Sequence, residues 1–217
     1  MRLHLLFSTL LTLALAACGG GSAPADPGNP LPTVQAAGQV VDDQGVPLAG
    51  ATVTVVSASS VAGTDAATST GADGRFALTL DAATPAVLKV QKTGYASSFR
   101  AAAGASDNAN VADRVLLLPV ASTQSFDPAQ AAVLRVPGSP ARVELAAGSL
   151  VREDGRPLAA GEVRVALTPI DPSADIGQMP GLMVDAASGV PIESLGALTI
   201  EFTDASGAPL NLASGQT

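Results

Sequence analysis

Cys18 is the chain's single thiol and His4 its single imidazole. Both lie in the N-terminal segment, upstream of everything that reads as folded. If that segment is processed, the remaining chain has no histidine. Cys–His catalysis, a Ser–His–Asp triad and the usual zinc ligand sets are then excluded. No second cysteine exists to close a disulfide within the chain. Lys89 and Lys92 are the only lysines, both on or beside one strand-like run, which leaves a Ser–Lys mechanism little to work with. A Lys–Asn isopeptide crosslink would need an assisting acid; residues 37–120 contain no Glu, although Asp could serve. What remains is carboxylate chemistry. Asp42 and Asp43 beside Gly45, and Asp171 and Asp175 around a proline turn, offer the hard oxygen ligands calcium prefers, though neither pair fits an EF-hand loop. The competing reading is that aspartate populates turns because it hydrogen-bonds its own backbone. No acidic pair sits in a recognisable hydrolase motif and no nucleophile has a visible base. The expectation is a chain that is not an enzyme and needs no cofactor.

A sugar site would rely on aromatic platforms, and aromatics make up only 3% of the chain. Past the N-terminal segment they are Phe76, Tyr95, Phe99, Phe126 and Phe202. Phe76 and Phe202 fall on expected core faces. Tyr95 follows a glycine turn, with its ring expected to pack while its hydroxyl finds a partner. The net charge of -8 rules out a phosphate-neutralising surface, so no nucleic acid is expected as partner. The acidity reads as solubility.

These residues need elements to hold them. Leu5 through Ala17 is uncharged and rich in leucine and alanine, preceded by Arg2. It is short of the roughly 20 apolar residues a membrane-spanning helix needs, and it fits the apolar region of a secretory signal. Leu15, Ala16, Ala17 and Cys18 resemble the bacterial lipobox. That resemblance implies a signal peptide over 1–17, peptidase recognition at Leu15, Ala16 and Ala17, and lipidation of Cys18. The partner would be membrane lipid, reached through the acylated cysteine. Two acyl chains suffice for stable anchoring at about 0.8 kcal/mol per buried CH₂. By the same resemblance, Gly19 rather than Asp after the cysteine implies sorting to the outer membrane if the envelope is Gram-negative. Residues 18–36 are rich in Gly, Pro and Ser and read as a disordered tether. A flexible chain of that length spans roughly 20–25 Å root-mean-square.

From 37 to 120 the pattern has period two. Gly50–Ser57, Arg75–Leu80 and Ala86–Lys92 read as strands, with Phe76, Leu78 and Leu80 on one face and Leu88 and Val90 opposite Lys89 and Gln91. Asp43-Gln-Gly45, Ala72-Asp-Gly74 and Thr93-Gly94 read as turns, the Asp-Gly step being a hairpin cue. Gly38-Gln-Val40, Gly45-Val-Pro47-Leu-Ala-Gly50-Ala-Thr-Val53, Thr70-Gly-Ala-Asp73-Gly74-Arg-Phe76 and Lys92-Thr-Gly94-Tyr95 together resemble the carboxypeptidase regulatory-like domain. The resemblance implies a small transthyretin-like β-sandwich and carries no catalytic residue to this chain.

The register changes between Pro119 and Gln124, and a second unit is expected over 124–217. Ala132–Val136, Ala141–Leu145, Gly161–Thr168 and Leu195–Phe202 read as its strands. In Gly161–Thr168, Val163, Val165 and Leu167 face inward and Arg164 outward. Ala146–Leu150, Leu167–Asp171, Met179-Pro-Gly181 and Ser194–Ala197 followed by Asp204–Gly207 are distantly similar to part of the cartilage intermediate layer protein. A short motif, Gly-x-Pro-apolar, recurs at Gly45, Gly155, Gly189 and Gly207, and reads as a turn followed by a proline entering an edge strand. Leu210–Thr217 reads as a turn into a strand that does not follow, so the second unit is expected to be incomplete. The whole is expected to be all-β, with two small antiparallel β-sandwich units behind a signal peptide and tether. The expected role is a scaffold or adhesion module of the cell envelope that contacts envelope protein or polysaccharide. A calcium- or carbohydrate-binding module is the alternative.

Overall fold

The computed structural model describes residues 33–56, 67–82, 86–102, 112–158, 160–179, 194 and 196–213, all within one compact unit. The described residues form strands and one 3-10 turn, Ile176–Gln178, with no α-helix. The first seven strands are β1 (Thr33–Val41), β2 (Thr52–Val55), β3 (Ala67–Ser69), β4 (Arg75–Asp81), β5 (Ala86–Gln91), β6 (Ser98–Ala102) and β7 (Ala112–Leu116). They make two sheets, β4-β1-β7 and β3-β2-β5-β6. Their inward faces share one apolar core. Ala36, Val40, Phe76, Leu78 and Leu80 come from one sheet, and Val53, Leu88, Val90 and Ala102 from the other. This is a β-sandwich, and period-two alternation builds it, because each strand turns every second side chain inward. Phe76, Leu78 and Leu80 are all buried, as are Leu88 and Val90.

Three local features depart from the expected pattern. β1 begins at Thr33, inside the stretch to 36 expected as a disordered tether, because residues 33–36 pair with β4 and Ala36 is buried in the first core. β1 pairs antiparallel with β4 but parallel with β7, with a register shift between Gly38 and Val40. The Asp73-Gly74 step is not a hairpin tip. It carries the chain from β3 in one sheet to β4 in the other. Gly74 has φ +73°, and its carbonyl accepts from the Val40 amide at 2.8 Å. A Cβ there would lie 2.5 Å from the Val40 carbonyl oxygen, so the crossing needs glycine for space as well as for φ.

The remaining strands are β8 (Ser122–Phe126), β9 (Ala132–Arg135), β10 (Arg142–Leu145), β11 (Leu150–Arg152), β12 (Val163–Ile170), β13 (Ala197–Asp204) and β14 (Pro209–Leu212). Five form a sheet in the order β11-β14-β13-β12-β8, and β9 and β10 form a ribbon. Leu134, Val136 and Leu145 of the ribbon segment share a second core with Val163, Val165, Leu167, Phe202 and Leu210 of the sheet. Phe126 meets Phe202 edge to face, centroids 6.4 Å apart. Residues 210–212, expected as a turn, are strand instead, and β14 sits between β13 and β11.

The Gly-x-Pro-apolar motif has one structure wherever it is described. Gly45, Gly155 and Gly207 all have φ near +80° or +87°. Each amide donates back three residues, to Asp42, Arg152 and Asp204 respectively. The pattern is a tight turn closed by a left-handed glycine. Pro47 and Pro157 bridge Val41 and Val151, and Pro209 pairs with Thr203. The ladder bonds fall on either side of Pro47, from Asp42 to Val46 and from Leu48 to Val40, so the missing proline N–H costs no bond. Leu48, Leu158 and Leu210 then drop into the cores. Gly189 lies outside the described residues.

Candidate functional site

The chain between the two cores is bonded along its length. The Leu117 amide donates to Val41, Ala96 donates to the Leu118 carbonyl, Val120 donates to Gly94, and Ala121 donates to Leu167. Tyr95 bridges Pro119, and its ring packs against the first core. The segment expected as a boundary is therefore stitched to strands on both sides.

Two side chains add to this seam. Arg100 of β6 donates from Nη1 to the Met179 carbonyl and from Nη2 to the Gly177 carbonyl, both at 2.9 Å. Burial pushes its guanidinium pKa below the ordinary value, because a half-desolvated cation loses water that carbonyls only partly replace. Glu201 of β13 accepts from the Ser97 amide at 3.2 Å. Thr168 and Ile170, on the β12 face turned away from the second core, are buried against this seam. Sequence reading missed Arg100, although a signal was present. Ser98 and Ala102 are the inward positions of β6, and Arg100 has the same parity.

An open groove of about 460 Å³ follows the seam, lined by Asp43, the 118–121 segment, Thr168–Asp171 and Gln178. It brings together one member of each calcium candidate pair, Asp43 and Asp171, and leaves Asp42 and Asp175 outside its lining. Three of the four carboxylates are engaged by their own turns. Asp42 Oδ1 accepts from the Gln44 and Val46 amides at 3.0 and 2.8 Å. Asp175 caps the 3-10 turn by accepting from the Gly177 amide at 2.7 Å. Asp171 accepts from the Ser173 hydroxyl and amide; the hydroxyl bond first, then the amide bond, lower its pKa. The Asp171 amide in turn donates to Gln178 Oε1 at 3.1 Å. Among the described residues no three acidic, histidine or cysteine side chains converge as a metal cage.

Lys92 donates to the Ala49 carbonyl at 2.7 Å, and Lys89 lies over the Phe99 ring at 5.9 Å from its centroid. Cys18, Leu15, Ala16 and Ala17 lie outside the described residues.

No curated protein matches the chain. Residues 35–116, running from within β1 to the end of β7, match the family model of the carboxypeptidase regulatory-like domain, whose β-sandwich fold is non-catalytic.

Proposed function

We propose that the protein is a non-catalytic scaffold or adhesion module of the cell envelope, anchored through lipid on Cys18. In this reading residues 1–17 are a signal peptide, and the tether that starts at Cys18 ends where β1 begins at Thr33. The β body of β1–β7 and that of β8–β14 follow it. The observation that carries the reading is the bonded seam. Arg100, Glu201 and the 117–121 backbone are committed to joining one β body to the next, which suits a part that transmits position. The order Arg2, apolar run, small residues and Cys18 supports the anchor.

The test is the intact mass of membrane-extracted protein, wild type and Cys18→Ala. Cleavage before Cys18 with added acyl mass, lost in the variant together with membrane retention, is the expected result. An unlipidated wild-type mass would sink the anchor.

The shared groove favours a second reading, calcium binding by Asp43 and Asp171. A ligand that binds only the native state raises stability as its concentration passes Kd. A melting temperature that rises with calcium, and does not rise in Asp43→Asn, would support that reading. A flat calcium titration would remove it.

A further inference from the structure

Strand register sets a row of side chains on the outer face of the β3-β2-β5-β6 sheet. Ala67 pairs with Thr54, Thr54 with Lys89, and Lys89 with Phe99. Residues directly opposite across strands share a face, so these four stand side by side, turned away from the core. Ser69, Thr52 and Gln91 make the adjacent row, and Gln91 Nε2 reaches the Ser97 hydroxyl at 3.3 Å. Phe99 is 40% exposed. By contrast, Phe76 and Phe202 are buried, and Phe126 packs on Phe202. The face thus offers an aromatic ring flanked by hydroxyl, amide and ammonium groups.

Charge narrows the choice of occupant. The chain carries a net charge of -8, yet the described residues of this sheet include no Asp or Glu. Arg100 is spent on the seam and Lys92 on Ala49. Lys89 holds its ammonium over one face of the exposed Phe99 ring, 5.9 Å from the centroid, a local positive site on an acidic protein. A sugar would stack on the ring's other face or displace the ammonium to its edge. An anionic membrane surface is drawn by clusters of about four to eight basic residues, and one lysine falls well short of that. An acidic sugar needs only one. Its pyranose ring has an apolar C–H face and a hydroxyl rim, and its carboxylate supplies the charge.

We infer that this face binds an acidic polysaccharide. The sugar ring stacks on Phe99, its hydroxyls meet Thr52, Thr54 and Gln91, and its carboxylate meets Lys89. The inference names a partner for the adhesion reading and takes its biological meaning from it.

The test uses the chain carrying Cys18→Ala, so that no lipid contributes. Affinity electrophoresis compares gels holding alginate, a uronate polymer, with gels holding dextran, a neutral one. Co-sedimentation with vesicles of equal phosphatidylglycerol and phosphatidylcholine is run beside it. The expected result is retardation by alginate that weakens with salt. Affinity should fall roughly fivefold to tenfold in Phe99→Ala and in Lys89→Gln, the scale of one aromatic or charged contact. Phe99→Tyr should retain binding, and circular dichroism should match wild type throughout. No retardation by alginate, equal retardation of wild type and both variants, or binding to vesicles alone overturns the site. Failure here with acylated Cys18 in the native protein leaves the anchored scaffold standing; alginate binding with an unmodified Cys18 does the reverse.

Discussion

The guanidinium of Arg100 sits across the seam from Met179 and donates to its carbonyl oxygen at 2.9 Å, while its other terminal nitrogen holds Gly177. Backbone carbonyls cannot ionise, so this clasp does not depend on a partner's protonation. Hydrogen bonds from charged donors contribute about 1.5–3 kcal/mol each when buried, and less where water competes, as at this half-exposed site. Arg100→Ala should therefore cost about 2 kcal/mol in total. Its sharper signature is cooperativity. Wild type should melt in a single calorimetric transition, and Arg100→Ala should broaden or split it. A wild type that already melts in two steps would show that the seam does not couple the cores.

Gly74 should be the least replaceable glycine among those described. Gly74→Ala sets a left-handed φ against a Cβ that would sit 2.5 Å from the Val40 carbonyl oxygen. The first costs about 1–2 kcal/mol, and displacing backbone adds to it, so a loss of about 3 kcal/mol or more is expected. Gly138 has φ +78° and nothing within 4 Å of its Cβ direction. Gly138→Ala isolates the φ effect and should cost about 1 kcal/mol. Urea denaturation of the two variants measures the difference; equal losses would rule out the close approach.

The elements that could be read in the sequence are those decided locally. β4, β5 and the Val163–Leu167 part of β12 alternate because one side of each faces a core, and β12 loses the alternation at Thr168 and Ile170, where the seam buries the other face. The Gly-x-Pro turns were legible because a left-handed glycine and a proline without an N–H leave a spacing that few other structures need. Pairings between distant segments left no such mark. Nothing in Gly38–Val41 says that β7 will lie parallel to β1. The Asp73-Gly74 step looks the same whether it closes a hairpin or crosses between sheets. The candidate aspartates could be named but not grouped, since the groove that joins Asp43 to Asp171 forms only when the cores meet. Phe99 carried no warning either: an aromatic at an outward strand position looks like any other until register sets Lys89 and Thr54 beside it.

Acid should weaken the turn at Asp204. Its carboxylate accepts from the Ser206 hydroxyl, from Arg152 at 2.7 Å, and from the Ala208 and Ser206 amides at 3.0 and 2.9 Å. These bonds, the Ser206 hydroxyl first, hold its pKa at about 2. An unfolded aspartate titrates near 3.9. A depressed folded value means that the stabilisation is complete above about pH 4 and is lost as pH falls through the folded value of about 2. Ser206→Ala removes the largest contribution and should raise the Asp204 pKa towards its ordinary value. Carbon-detected titration of the Asp204 carboxyl reads this directly. An unchanged midpoint in Ser206→Ala would mean that Arg152 and the amides carry the shift.

Ser98 gives the last prediction, and its sign is opposite to that of most core substitutions. Its side chain is buried at the edge of the first core, and its Oγ has no hydrogen-bond partner. A buried hydroxyl without a partner costs about 1–3 kcal/mol relative to one that is bonded. Replacing it with a methyl group removes that cost and leaves only a small change in volume. Ser98→Ala should therefore stabilise the protein by about 1 kcal/mol. Ser98 lines a cavity of about 10 Å³ beside Gln178 and Thr199, near the lower limit for holding one water. A water there would satisfy the hydroxyl, and Ser98→Ala would then be neutral or destabilising. Urea midpoints for wild type and variant separate a dry cavity, with the variant more stable, from a hydrated one.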